Sequence, residues 1–315
     1  MAAAAIDAVA TRSSRRSAGA SSVRHETVTA SFAPFLKWAG GKRQLLPQLR
    51  KYLPPVITGR YFEPFLGGGA VFFDLAARGA FWTSKEVCLG DSNWELYTTY
   101  LAIRSNVEGV IRLLSTYRYE EDFYYRVRGW DPNRMTDITV AARMIFLNRC
   151  GFNGLYRVNR SGQFNVPFGR YSNPTICDAP LLRADSAALR NVRIFGNDFR
   201  LTTRLASAGD VVYCDPPYLP RSKTSNFTGY TSSGFDLAAQ EELAAYAAAW
   251  AKRGVHVVLS NSNVAAIRKL YPKSVFDLHA VKASRSINSV GSSRGPVSEL
   301  IIVSRGSLAR LTKRS

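Results

Sequence analysis

The stretch RYFEPFLGGGAVFFDLAARGAFWTSKEVCLGD, residues 60–91, decides the fold class. Its first apolar run predicts a β-strand, the glycines at 67–69 predict a tight turn, and residues 70–77 predict a helix. A second apolar run at 87–91 predicts another strand, which ends in the acidic residue Asp91. A strand, a glycine turn, a helix and a strand that ends in an acid form the pattern of a nucleoside-binding βαβ unit. We therefore predict an α/β protein with a parallel sheet.

Strands and helices continue to alternate on both sides of this unit, with one interruption. Upstream, leucines at helical spacing predict a helix at 42–52. Downstream, the pattern predicts strands at 192–195, 210–215 and 255–260, a helix at 237–252, and a closing hairpin formed by 275–281 and 299–303. Between residues 95 and 185 no strand is evident: residues 140–147 predict a helix, and residues 151–171 predict an irregular loop rich in polar and aromatic residues.

This pattern predicts a Rossmann-like α/β domain with a second, mostly helical domain inserted into it. We assign residues 32–95 and 186–304 to the α/β domain and residues 96–185 to the insertion. The flanking segments are rich in small and basic residues, so we expect a disordered tail at 1–31 and a basic, flexible tail at 305–315.

The charge balance indicates a polyanionic partner. The 315 residues include 42 Lys and Arg against 23 Asp and Glu, which gives a net charge of +19 and a pI near 10.1. Basic side chains that neutralise phosphates release condensed counterions, and this favours nucleic acid as the partner. A basic protein without such a partner is the alternative.

Cysteine usage and hydropathy narrow the class further. The four cysteines include no CxxC pair and have no histidine near them in sequence, so we expect no metal site, reduced thiols and a cytoplasmic protein. No apolar run reaches the length of a membrane span, so we expect no membrane partner.

The strongest chemical signal is the sequence Asp215-Pro216-Pro217-Tyr218, at the end of the strand predicted at 210–215. Open α/β sheets bind ligands at the carboxyl ends of their strands. The prolines remove backbone donors and hold the chain extended, so carbonyl oxygens and the Asp215 carboxylate can face a ligand as acceptors. Two acceptors that hold both hydrogens of an aromatic amine free its delocalised lone pair, and Tyr218 offers a flat ring for the base. The plainer interpretation is a Pro-Pro turn after a strand.

A glycine-rich segment is the candidate cofactor site. In Phe65-Leu-Gly67-Gly68-Gly69 the glycines let the backbone approach a ligand closely, and Asp91 at the next strand end is placed to bind ribose hydroxyls. The segment lacks the GxGxxG spacing of dinucleotide-binding proteins. It fits a nucleoside ligand without a pyrophosphate, and S-adenosylmethionine is such a ligand.

A second glycine-rich segment, FLKWAGGK at 35–42, is not a nucleotide triphosphate loop. Arg43 stands where that loop has a Ser or Thr for magnesium, and the GxxxxG spacing is missing. We expect Lys42 to hold a carboxylate and Trp38 to cover an adenosyl group.

In their order along the chain, these segments resemble DNA adenine-N6 methyltransferases of the Dam type, in the alpha arrangement of the D12 class. The resemblance covers residues 32–303 and rests on FLKWAGGK (35–42), EPFLGGG (63–69), LGDSN (89–93), FLNRCGFNGLYRVNRSGQFNVPFGRY (146–171), VVYCDPPY (211–218), NFTGY (226–230) and SRSINS (284–289). It implies an α/β, Rossmann-like S-adenosylmethionine-dependent methyltransferase domain with a mostly helical, inserted target-recognition domain. It also implies double-stranded DNA with GATC targets as substrate, S-adenosylhomocysteine as product and no metal. We further expect a monomer associated with the nucleoid.

The resemblance implies roles for the residues that match these segments. The catalytic set is Asp215, Pro216, Pro217 and Tyr218. The residues expected at the cofactor are Trp38, Lys42, Phe65, Gly67, Gly69, Asp91, Asp198, Phe199 and Asp215. The residues expected at DNA are Lys37, Phe152, Asn153, Leu155, Arg157, Pro167, Tyr171, Arg285 and Ser286. Arg157 is suited to bidentate bonding with guanine, although a surface arginine is the simpler interpretation.

The target amine is inaccessible within a duplex, so this function requires extrusion of the adenine. Methyl transfer to RNA or to cytosine N4 is an alternative with the same chemistry. A basic DNA-binding protein with an inactive methyltransferase fold is an alternative from another class, and the intact Asp215, Tyr218, Gly67 and Asp91 argue against it. The missing GxGxxG spacing excludes a nicotinamide dehydrogenase.

Overall fold

The computed structural model describes residues 32–38, 40–219, 235–283 and 297–312. Within these ranges a seven-stranded sheet is formed by β1 (Arg60–Glu63), β2 (Glu86–Gly90), β3 (Val192–Phe195), β4 (Val211–Cys214), β5 (His256–Ser262), β6 (Phe276–Ala283) and β7 (Val297–Ser304). The strand order is β3-β2-β1-β4-β5-β7-β6. The first five strands pair in parallel, whereas β7 is antiparallel to both β5 and β6.

Helices connect most of the strands. They are α1 (Leu46–Leu49), α2 (Ala70–Ala77), α3 (Trp94–Ser115), α4 (Glu121–Arg128), α5 (Asp137–Cys150), α6 (Ala179–Leu189), α7 (Phe199–Thr202), α8 (Leu237–Lys252), α9 (Ala265–Leu270) and α10 (Ser307–Thr312). Short 3-10 helices lie at Lys42–Gln44, Pro132–Arg134 and Phe152–Gly154. No helix in the described ranges is long and apolar enough to cross a membrane.

Both faces of the sheet are buried, as expected for parallel strands with helices on either side. On β1, Tyr61 belongs to one hydrophobic core and Phe62 to another, and Val211 and Val212 of β4 divide in the same way. Successive side chains of a strand point to opposite faces, so one core lies on each side of the sheet. This double burial holds the strand ends in fixed positions, as a site built on them requires.

The strand order creates a crevice at the carboxyl ends of β1 and β4. These strands are parallel neighbours, with Phe62 opposite Val212. From this pair the chain fills the sheet outward in both directions, through β2 and β3 on one side and β5 on the other. In open α/β sheets, ligands bind at such a reversal of the strand order. The predicted α/β, Rossmann-like fold is confirmed, and Asp215 lies at the edge of the sheet where such folds bind ligands.

The helices α3 to α6 lie between β2 and β3 along the chain. Phe146 of α5 and Leu96 of α3 belong to the same hydrophobic core as Tyr61 of β1. Glu95 of α3 and Arg143 of α5 form a buried ion pair with an N–O distance of 2.8 Å. This helical segment shares a core with the sheet, and its assignment to a separate domain stays a prediction.

Most of the predicted helices and strands are confirmed. Several have the predicted bounds, because glycines and capping residues in the sequence mark where they begin or end. The helices at 70–77 and 237–252 and the strand at 192–195 have the predicted bounds. The second helix begins where the Asp236 carboxylate accepts a hydrogen bond of 3.0 Å from the Ala239 N–H. The closing hairpin is β6 paired with β7.

Two predictions differ from the structure. The helix predicted at 42–52 is interrupted, because Pro47 lacks an N–H and is accommodated only in the first turn of the new helix α1. Residues 307–312, within the tail predicted to be flexible at 305–315, form the helix α10. This helix is anchored where the buried Ser307 Oγ lies 2.6 Å from Nδ1 of His256.

Candidate active site

The carboxyl ends of β1, β2 and β4 meet at one edge of the sheet and bring together residues far apart in sequence. β1 leads into the glycine turn at 67–69, β2 leads into Asp91, and β4 leads into Asp215. The segment at 35–42 lies against this edge, because Lys42 pairs with Asp215 and Trp38 contacts Gly67. The three segments predicted to form one site are therefore adjacent.

The glycine turn uses conformations that only glycine adopts readily. Gly67 and Gly69 have φ values of 50° and 68°. One Asp91 oxygen, Oδ2, accepts a hydrogen bond of 2.9 Å from the Gly67 N–H, and the other accepts one of 2.9 Å from the Asn93 N–H. Burial raises the pKa of Asp91, and these N–H groups oppose the rise. Asp91 thus fixes the turn, and its oxygens are the acceptors predicted to bind a ligand hydroxyl.

The indole of Trp38 lies directly on the glycine turn. A Cβ atom at Gly67 would stand 2.8 Å from Trp38 Cδ1, which is shorter than a van der Waals contact. The same indole stacks on Tyr156, with ring centroids 5.3 Å apart and an interplanar angle of 26°. Glycine is required at 67 for this approach, and the approach places Trp38 where a cofactor-binding residue is predicted.

Asp215 is held by a buried lysine. Lys42 Nζ lies 2.8 Å from Asp215 Oδ1 and donates a hydrogen bond of 2.7 Å to the Gly40 carbonyl. Ser260 Oγ donates to the same Asp215 oxygen at 3.1 Å. The Lys42 ammonium also lies 4.7 Å from the centre of the Tyr218 ring, a cation–π distance. The carboxylate is therefore oriented before any substrate arrives.

The protonation state of Asp215 reflects two opposing influences. Burial is the larger one and raises the pKa of Asp215 above its ordinary value. The charge and hydrogen bond of Lys42 lower this pKa, while the negative charge of Glu299 raises it. Lys42 is therefore the main group that favours the ionised carboxylate.

The residues that follow Asp215 are fixed from other elements. Tyr218 donates a hydrogen bond of 2.8 Å from its hydroxyl to Glu299 Oε2 on β7. The Pro217 carbonyl accepts a hydrogen bond of 2.8 Å from Gln240 of α8, and Pro216 is buried. These contacts hold the tyrosine ring and the two prolines at the strand end.

Three residues at this edge are absent from the predicted site: Glu63, Ser260 and Glu299. Glu63 is buried, accepts a hydrogen bond of 2.7 Å from the Tyr61 hydroxyl, and has its pKa raised by burial to about 8. Its position at a strand end just before the glycine turn is a signal that the sequence carries. Ser260 and Glu299 lie on β5 and β7, and only the strand order brings them to Asp215 and Tyr218.

The two residues predicted near the cofactor after β3 differ in their surroundings. Phe199 is buried and stacks on Phe65, with ring centroids 5.6 Å apart and an interplanar angle of 26°. Asp198 caps α7 and pairs with the Arg200 guanidinium at 2.7 Å. Phe199 therefore adjoins another predicted cofactor residue, whereas the Asp198 carboxylate is engaged locally.

The loop at residues 151–171 is named the recognition loop because the sequence predicts that it contacts DNA. Two residues at its start, Phe152 and Asn153, have unusual surroundings. Phe152 is 43% exposed. Asn153 has a φ of 54° and is the only residue other than glycine with positive φ in the described part of the chain. The Phe152 N–H donates a hydrogen bond of 2.9 Å to the Pro167 carbonyl, which joins the two ends of the loop. The loop thus displays an aromatic ring on a fixed backbone.

The other residues predicted to contact DNA differ from one another in their surroundings. Lys37 Nζ lies 4.8 Å from the centre of the Tyr171 ring, and burial lowers the lysine pKa. Leu155 packs partly against the hydrophobic core. The Arg157 guanidinium donates to Asn165 at 2.7 and 2.9 Å, and these bonds must be exchanged if it contacts a base. The predicted Arg285 and Ser286 lie outside the described residues.

Comparison with known proteins identifies close relatives of the chain. A family model described as D12 class N6 adenine-specific DNA methyltransferase matches residues 38–287. The chain is 41% identical over 281 residues to the type II methyltransferase M1.LlaDCHI of Lactococcus lactis subsp. cremoris, with 87% of this chain and 95% of that protein covered. It is 41% identical over 288 residues to the type II methyltransferase M.MjaIII of Methanocaldococcus jannaschii, with 86% and 98% covered. It is 35% identical over 272 residues to the DNA adenine methylase of Escherichia coli strain K12, with 85% and 93% covered.

Proposed function

Because this chain belongs to the D12 class of N6 adenine-specific DNA methyltransferases, we propose that it methylates adenine N6 within GATC sites of double-stranded DNA, with S-adenosylmethionine as methyl donor. The observation that carries the proposal is the Asp215 carboxylate, which stands at the reversal of the strand order and is held there by Lys42. The glycine turn of β1 occupies the same edge of the sheet.

The groups around the glycine turn fit S-adenosylmethionine. The Trp38 indole and the stacked rings of Phe65 and Phe199 offer flat apolar faces for an adenine. The Asp91 oxygens are acceptors for ribose hydroxyls, and Gly67 lets the backbone approach closely. When bound, the cofactor supplies a methyl group on an electrophilic sulfonium.

The acceptor side of the reaction needs an amine with a free lone pair. The exocyclic nitrogen of adenine is a poor nucleophile because its lone pair is delocalised into the ring. Asp215 and the Pro216 carbonyl would each accept a hydrogen bond from one of the two N–H groups of this amine. Both bonds together would favour a pyramidal nitrogen. Tyr218, fixed by Glu299, would stack on the base and hold the nitrogen in line. Much of the rate enhancement would come from this orientation.

Proton release follows from the same contacts. The amine becomes acidic only as it acquires positive charge during methyl transfer, so Asp215 needs no strong basicity before that point. The ionised carboxylate, favoured by Lys42, then accepts the proton.

Recognition of the duplex is assigned to the helical segment at 96–185. The adenine must leave the stack, at a cost of a few kcal/mol. The exposed Phe152 would fill part of the gap, and Arg157 would bond to guanine O6 and N7. We assign this activity to a monomer that acts on chromosomal DNA in the cytoplasm.

Protection of plasmid DNA tests this proposal. Plasmid treated with the protein and S-adenosylmethionine is digested with two nucleases that cut GATC, one blocked by adenine methylation and one indifferent to it. We expect protection from the first nuclease alone, and none when the cofactor is omitted. If both nucleases cut the plasmid and the hydrolysed DNA contains N6-methyladenine, only the proposed GATC target is contradicted. N4-methylcytosine, or no modified base, would contradict the proposed chemistry.

A further inference from the structure

Tyr156 is the residue of the recognition loop that stacks on Trp38, the tryptophan that lies against the glycine turn. It stands between Leu155 and Arg157, two residues expected at DNA. Its ring stacks on Trp38 at 5.3 Å, and Trp38 lies against Gly67. A continuous contact therefore runs from the recognition loop to the cofactor edge of the sheet.

The hydroxyl of Tyr156 anchors this ring to α3. It donates a hydrogen bond of 3.2 Å to Glu95 Oε1, and Glu95 is itself buried and paired with Arg143. Burial and the charge of Glu95 raise the pKa of Tyr156, so the hydroxyl keeps its proton and remains a donor. The side chain of Asn93, whose N–H donates to Asp91, opposes this rise in the pKa of Tyr156. Asn93 thus links Asp91 to the surroundings of the Tyr156 hydroxyl.

The same ring orders the part of the loop that carries Arg157. Tyr156 packs edge-to-face on Phe164, with ring centroids 5.7 Å apart. Phe164 pairs with Val158 through an antiparallel bridge, and the next residue, Asn165, holds the Arg157 guanidinium. Displacement of Tyr156 therefore disturbs both strands of this narrow hairpin and the guanidinium between them.

We propose that Tyr156 is a positioning residue that couples occupancy of the cofactor pocket to the order of the recognition loop. The inference rests on the proposed function, because it takes the pocket at Trp38 to bind S-adenosylmethionine. A ligand packed against Trp38 restricts the indole, and the stacked Tyr156 ring transfers this restriction to Arg157. Coupling between two sites is reciprocal, so cofactor and target duplex each tighten binding of the other by the same factor.

Binding measurements on three variants test this coupling. The affinity for a duplex with one GATC site is measured with and without saturating S-adenosylhomocysteine, and the ratio is compared between proteins. Tyr156→Leu removes the ring, Tyr156→Phe keeps the ring and loses the hydroxyl, and Phe168→Leu trims the same loop away from Trp38. For the wild type we expect the ratio to be at least about 5-fold.

The variants have different expected ratios. Tyr156→Leu brings the ratio close to one, and Tyr156→Phe retains most of it. Phe168→Leu weakens DNA binding equally with and without S-adenosylhomocysteine and so leaves the ratio unchanged. This is the result expected of a substitution that only disturbs the structure of the loop. A wild-type ratio near one, or a wild-type ratio in Tyr156→Leu, overturns the inference. Absence of S-adenosylhomocysteine binding by the wild type overturns the proposed function as well, so the two failures are distinguishable.

Hydrogen exchange of the wild-type protein gives a second test that needs no substitution. S-adenosylhomocysteine added without DNA is expected to slow exchange of the amides at 155–166, whereas those of α4 are unaffected. Equal exchange at 155–166 with and without this ligand overturns the inference, even if Tyr156→Leu fails to fold.

Discussion

We expect the pairing of Lys42 with Asp215 to determine the pH range in which the protein methylates DNA. Asp215 can accept the proton of the methylated amine only when it is ionised, and burial raises its pKa above that of an ordinary aspartate. As the pH is lowered, the wild type should therefore lose methylation activity at a higher pH than it would if Asp215 had the pKa of an ordinary aspartate. Lys42 limits this effect, because its positive charge lowers the same pKa.

Lys42→Met should move the acidic limb of the pH profile of kcat/KM to higher pH. Without the lysine charge the Asp215 pKa rises further, so a larger fraction of the enzyme is protonated at any given pH. Activity lost at acidic pH should be partly recovered as the pH is raised. The exposed Lys51, replaced in the same way, is the control. An equal loss at every pH would contradict this account of the pair.

Arg157→Ala should relax discrimination at one base pair of the target. A bidentate contact with guanine contributes about 1–3 kcal/mol, or ~5–150-fold in preference. Methylation rates on duplexes with each substitution of the GATC sequence measure this. Arg160→Ala, at an exposed position of the same loop, should leave the preference intact. Unchanged preference in Arg157→Ala would remove the arginine from base recognition.

At the scale of elements, we expect cofactor binding to depend on the glycine turn. Gly67→Ala adds a Cβ atom 2.8 Å from the Trp38 ring at a residue with a φ of 50°. The left-handed backbone costs about 1–2 kcal/mol, and the clash displaces the indole as well. The affinity for S-adenosylhomocysteine, measured by calorimetry, should fall by at least about tenfold.

Gly79→Ala is the matched control for this substitution. Gly79 also has a positive φ, 70°, but a Cβ atom there has nothing within 4 Å. This variant should lose stability in thermal unfolding and keep its cofactor affinity. Equal losses of affinity in the two variants would mean that the Trp38 contact has no part in binding.

Local signals made the elements and much of the active site predictable. A glycine and an aspartate cap mark the starts of α2 and α8, and the strand-end position of Asp215 indicated that it belongs to the candidate site. The contacts of that carboxylate were harder to foresee. Ser260 and Glu299 reach the site through the strand order, and Tyr156 reaches Trp38 across more than a hundred residues. α10 was missed because it is stabilised by the distant His256 rather than by its own sequence.

The charge of the whole molecule should make DNA binding strongly dependent on salt. With a net charge of +19, the protein is expected to neutralise several phosphates and release their counterions. If about six phosphates are contacted, affinity falls by roughly 10³-fold between 50 and 200 mM salt. Fluorescence anisotropy with a labelled duplex measures the slope, and a slope near zero would contradict an electrostatic DNA interface.

The most direct test of the account is methyl transfer by Asp215→Ala. Purified wild type, this variant and the control Asp277→Ala, on the edge strand β6, are supplied with methyl-labelled S-adenosylmethionine and a GATC duplex. We predict that Asp215→Ala loses methyl transfer to N6 by about 10²-fold or more while it still binds duplex DNA, and that Asp277→Ala keeps its turnover. Near-normal turnover by a folded Asp215→Ala protein would contradict the proposal that this carboxylate activates the amine.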